Sequence, residues 1–190
     1  MRFKGDKLLH FIPDFTVIDL ETTGRGTDYR EITEMSAIRY RNYKPVASFS
    51  VLVKPQSPIL PFVENLTGIT DEMLKDKPNV SEVIEDFVSF VGDDVIVGHN
   101  VNFDFNLVYD AYLASENKIM HNDYMDTLNL SRILNEDASS HKLEHLCQYY
   151  AIDREVGHRG LEDCKQTGEL YIKMSKKAVA TQKLFVLGVV

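Results

Sequence analysis

Cysteine is scarce. Cys147 and Cys164 are the only two in 190 residues, and they form no CxxC pair. This argues against a disulfide frame and fits reduced core thiols in a cytosolic protein. Long apolar runs are also missing. None approaches the ~18 residues or more that cross a bilayer, so no membrane span is expected. The opening stretch MRFKGDKLLHFIPDF starts basic but has no long apolar segment and no small-residue cleavage site, so no signal peptide is read and a cytoplasmic location is expected. There is no internal repeat, low-complexity tract or linker. Positive charge is short as well: 21 Lys and Arg stand against 29 Asp and Glu, a net charge of -8. An acidic chain lacks the basic footprint of an ordinary nucleic-acid binder. That exclusion is lifted if the site holds cations, because bound divalent metals invert the local charge and receive a phosphate.

What is present reads as one α/β domain with a sizeable core, 44% of the residues being hydrophobic. Phe15 to Leu20 is a short apolar strand closed by Thr22-Thr23-Gly24. Ile32 to Tyr40 and Val46 to Val53 are two more strands, with a hairpin turn over Asn42 to Pro45. A short helix ends near Leu66. Asn79 and Glu82 form a capping box that opens an amphipathic helix. Asp94 to Gly98 is a buried strand, followed by a helix over 102–115. Tyr124 to Asp126 is the last strand, and helices run over roughly 127–135, 142–150 and 161–178. The order implies a mixed sheet of about five strands flanked by helices. Domain limits are read as an extension over 1–13, a domain over 14–178 and a tail over 179–190.

Three patterns carry candidate chemistry, and each has a plainer reading. Asp19 and Glu21 lie two apart on a strand, so they share a face. They are either an exposed strand end or an oxygen-ligand pair for a hard cation such as Mg²⁺ or Mn²⁺. Gly98-His99-Asn100-Val101-Asn102-Phe103-Asp104 is a strand, a turn and a first helical turn, where α/β proteins usually place sites. Asp104 there is also a favourable first-turn acid. His158-Arg159-Gly160-Leu161-Glu162-Asp163 puts a histidine in a loop and an acid at a helix start. His158 is either a surface histidine or a base able to take a proton from water near neutral pH. Taken together, three inward-facing acids and a base suit phosphodiester hydrolysis, in which carboxylates hold two metals.

The segments VIDLETTG (17–24), GHNVNFDFNLV (98–108) and HRGLED (158–163) resemble the three motifs of the DEDDh exonucleases. That family includes the proofreading epsilon subunit of bacterial replicative DNA polymerase, ribonuclease T and oligoribonuclease. EITEMSAIRY (31–40), NLTGIT (65–70), MDTLNLSR (125–132) and HKLEHLCQYYAI (141–152) are similar too, so the resemblance covers about 14–176.

The resemblance implies a ribonuclease-H-like fold and a 3′→5′ exonuclease that releases nucleoside 5′-monophosphates. It implies Asp19, Glu21, Asp104 and Asp163 as ligands of two divalent cations, Mg²⁺ or Mn²⁺, and His158 as the general base. It places Thr22, Thr23, Leu66 and Ile69 near the 3′-terminal nucleotide, and His99 and Asn100 near the scissile phosphate. Gly160 stands where the family often has alanine, which reads as loosening the loop of His158. Single-stranded DNA is favoured over RNA as the partner. RNA ends or short oligoribonucleotides, and a non-catalytic binding module, are the alternatives. Gln182-Lys183-Leu184-Phe185 faintly resembles a sliding-clamp-binding peptide, but the tail reads more readily as a final helix turn or an apolar end docked on the domain. A polymerase or clamp partner, and a monomer or homodimer, all stay open.

Overall fold

The computed structural model describes residues 2–24, 30–153 and 159–181. His158 and the clamp-like segment 182–185 fall outside the described residues. Among the described residues five strands form one sheet: β1 (Phe15–Thr22), β2 (Ile32–Arg41), β3 (Lys44–Leu52), β4 (Ile96–Gly98) and β5 (Tyr124–Asp126). Their order is β3-β2-β1-β4-β5. The first three pair antiparallel, whereas β4 and β5 run parallel to β1. This is the mixed sheet expected from the sequence. Among the described residues seven helices cover it: α1 (Pro61–Thr67), α2 (Asp71–Leu74), α3 (Val80–Val91), α4 (Asn102–Glu116), α5 (Thr127–Leu134), α6 (Leu143–Tyr149) and α7 (Gly160–Ala180).

The hairpin between β2 and β3 is tighter than expected. Its two turn residues, Asn42 and Tyr43, both have positive φ (50° and 60°), the twist that suits a two-residue hairpin. Pro45 is therefore inside β3, where an edge strand tolerates its missing N–H.

Side-chain alternation along β1 sorts the core into two layers. Phe15 and Val17 pack with Ile38, Tyr40 and residues of α5, α6 and α7. Ile18 and Leu20 pack with Met35, Ala37 and residues of α3 and α4. Asp19 and Glu21 continue the row of Phe15 and Val17, so they fall on the α7 side. Gly168 lets α7 lie close on this face, because a Cβ there would meet the Tyr40 ring.

The N-terminal extension is a strap. Leu8 N–H donates to the Tyr124 carbonyl (2.8 Å) and Tyr124 N–H to that of Asp6 (3.0 Å), covering the open edge of β5. Lys4 Nζ donates to Asn102 Oδ1 and Asn106 Oδ1 of α4, both at 2.9 Å. It also lies over the rings of Phe105 and Tyr124.

Candidate active site

Carboxylate oxygens of Asp19, Glu21 and Asp163 all lie within 4.8 Å of one another. The strand period brings the first two together, and the start of α7 supplies the third. Asp163 is buried, while Asp19 and Glu21 keep part of their surface open. Asp104 comes from the opposite layer. β4 pairs with β1 only at Thr16 and Val17, so the end of β1 is released from it, and Asp104 Oδ1 accepts the Leu20 N–H at 3.1 Å.

Gathering four acids has an electrostatic cost. Burial pushes the Asp19 carboxyl well above the ordinary carboxylate range, and Asp104, Asp163 and Glu21 push it further. Burial likewise raises Asp104 to about 8, against the lowering effect of the Leu20 N–H. Such crowding is relieved by a cation. The donors are all carboxylate oxygens, which suits a hard divalent ion. Beneath the cluster the Cys164 thiol is buried against the Ser36 carbonyl (3.5 Å), and burial raises its pKa. Both cysteines are buried.

Beside the acids is a cavity of about 200 Å³ lined by Glu21, Thr22, Gly24, Arg30, Phe62, Leu66 and Phe103, among others. The Arg30 guanidinium lies 4.6 Å over the Phe103 ring at one side of it. A larger cavity of about 800 Å³ lies between the 53–56 loop, α3 and α4; it shares Arg30 but none of the four acids.

The remaining expected residues divide. Leu66 lines the small cavity. Ile69 does not: it is fully buried against Ile59, Val63 and Leu74. Thr22 Oγ1 donates to the Gly24 carbonyl (3.2 Å). Thr23 is turned to structural use. Its N–H donates to the Glu31 carbonyl (2.9 Å), and its Oγ1 accepts the Glu31 N–H (3.2 Å). The His99 ring is held by Thr127 Oγ1 (2.9 Å) and by the His141 backbone, and burial lowers its pKa. Asn100 is exposed, with a left-handed φ of 64°.

Asp126 is a residue that sequence reasoning passed over. Its Oδ1 accepts from Asn100 N–H (2.9 Å) and Leu128 N–H (3.0 Å), and its Oδ2 from Asn129 Nδ2 (2.6 Å). It therefore caps α5 and pins the turn that leads to Asp104. The available signal was an Asp directly before a helical run, a favoured N-cap.

Gly160 corrects an expectation. It is the buried first residue of α7, and an added Cβ would lie 2.5 Å from Ser36 Oγ and 2.8 Å from Ser36 Cβ. The glycine serves close packing of α7 on β2, not a looser loop.

The RNase_T family model, described as exonuclease, matches residues 16–171. PolC-type DNA polymerase III of Caldanaerobacter subterraneus is 38% identical over 164 residues, 86% of this chain and 12% of the polymerase. The Bacillus subtilis PolC-type enzyme is 36% identical over 167 residues, again 86% and 12%. The chain thus spans about an eighth of the length of these curated relatives. Exonuclease X in complex with 5′-overhanging duplex DNA superposes with a TM-score of 0.71 at 26% identity, covering 92% of this chain and 99% of that one. E. coli exonuclease I with a dT13 oligonucleotide superposes at 0.76 with 20% identity, covering 92% and 44%, and so shares the fold.

Proposed function

The chain belongs to the RNase_T exonuclease family, and we propose that it removes nucleoside 5′-monophosphates from the 3′ end of single-stranded DNA with the help of Mg²⁺ or Mn²⁺. The observation that carries the reading is the packing of Asp19, Glu21 and Asp163 within 4.8 Å, with the raised Asp104 beside them. An acid cluster of this kind suits a bound cation, and it borders a cavity lined by Glu21, Leu66 and Phe103 that would receive a strand end. The DNA polymerase relatives and the DNA-bound exonuclease X favour DNA over RNA.

In this reading Asp19, Glu21, Asp104 and Asp163 hold the ions. When bound, the ions supply positive charge for the attacking and leaving oxygens of the phosphate. The chain's own residues do the rest. Leu66, Phe62 and Phe103 enclose the terminal nucleotide and shed water from it. Glu21 stands where the cavity meets the acids, so it faces the terminal sugar. The Asp126-bound turn fixes the backbone of Asn100, four residues before Asp104. His158, from its motif, takes the proton of the attacking water.

The test uses 5′-labelled DNA and RNA of equal sequence, each with Mg²⁺, Mn²⁺ or chelator. A metal-dependent ladder shortening from the 3′ end of the DNA, faster than on RNA, is the expected result. A faster RNA ladder would move the substrate class, and no ladder from folded protein would remove the reading.

A further inference from the structure

We infer that Glu34 is a positioning residue that seats the start of α7, and with it Asp163, against the acids of β1; this rests on the function proposed above. Glu34 is 2% exposed, rare for a carboxylate unless it is paired. Its oxygens are engaged from three directions. Gly160 N–H donates to Oε2 (3.1 Å), Arg159 Nη2 and Nε donate to Oε1 and Oε2 (3.2 and 3.4 Å), and Ser50 Oγ donates to Oε1 (3.4 Å). The carboxylate thus caps the first N–H of α7 and pairs with the residue just before that helix, while β3 holds it from behind.

The register gives this arrangement its purpose. On β2, Ser36 is the partner of Asp19 and Glu34 is the partner of Glu21. These same two residues receive α7: Ser36 lies under Gly160, and Glu34 binds Gly160 and Arg159. The residues opposite the β1 acids therefore fix where the α7 acid stands. A glutamate at this place in ITEMSAI would otherwise be a polar residue inside a strand buried on both faces.

Acting through position, Glu34 affects turnover more than substrate binding. Glu34→Gln keeps an acceptor for Gly160 but loses the ion pair. It should lower kcat about 10-fold or more, as small misplacements of reacting groups do, with KM within about twofold. Arg159→Met, at a half-exposed side chain, should lower kcat in the same way. The double variant should then be no worse than the worse single, since the two act as one unit. The experiment measures kcat, KM and thermal unfolding for wild type and the three variants on single-stranded DNA. Kcat within twofold of wild type for both singles, or independent multiplying losses, would overturn the inference. Inactive wild-type protein would instead remove the underlying function.

Discussion

Glu21 and Glu34 are direct cross-strand partners on β1 and β2, two acids on the same face of the sheet. Like charges so placed repel. Glu34 is relieved by Arg159 and the Gly160 N–H, and in the function proposed above a bound cation would draw the Glu21 charge.

Asp104→Asn separates activity from stability. The amide still accepts the Leu20 N–H, so the fold is kept, while nucleotide release falls by about 10²-fold or more as a charged partner of the reaction is lost. Because Asp104 is raised to about 8 by burial, the variant should also melt higher than wild type in chelator at neutral pH. Differential scanning calorimetry beside a release assay checks both.

The same carboxyl sets a pH dependence for the metal-free protein. An acid whose folded pKa is raised retains its proton longer in the folded state, so stability falls as pH rises from about 4 towards 8. The difference between wild type and Asp104→Asn should grow across that window in chelator. It should vanish in saturating Mg²⁺, which binds the folded ionised form. Urea unfolding at several pH values reads it.

Leu66 and Ile69, three residues apart, should respond oppositely. Leu66→Ala removes part of the cavity wall and should raise KM about 3- to 10-fold, the scale of a few lost methylene contacts. Ile69→Ala empties a fully buried site and should cost about 2–5 kcal/mol of stability with KM unchanged. Steady-state kinetics and denaturant melts distinguish the two.

Gly160→Ala should destabilise the fold by about 1–3 kcal/mol through overpacking against Ser36. Ser36→Gly in the same chain should restore most of the loss, since the clash involves both Ser36 Oγ and Cβ.

Sequence patterning reveals the sheet because β1 and β2 are short, mostly apolar runs, and the Asn79–Glu82 capping box reveals the start of α3. It also places Asp19 and Glu21 on one face, because strand alternation is a local property. Glu34 was not legible, since its partners Arg159 and Gly160 lie 125 and 126 residues away. Ile69 was misplaced for a similar reason. Its motif points to the terminal nucleotide, but the left-handed Gly68 (φ 69°) ends α1 and the chain turns Ile69 inward. The strap over 2–13 is too short and irregular to show a period. Its fit to the β5 edge exists only once the sheet is assembled.

The most direct test of the central claim is release of mononucleotide from 3′-labelled single-stranded DNA by wild type and by Asp163→Asn, in Mg²⁺ and in chelator. The account predicts immediate release of the labelled nucleoside 5′-monophosphate only from wild type in Mg²⁺. Equal release by the variant, or release that survives the chelator, would contradict a metal-holding cluster of Asp19, Glu21 and Asp163.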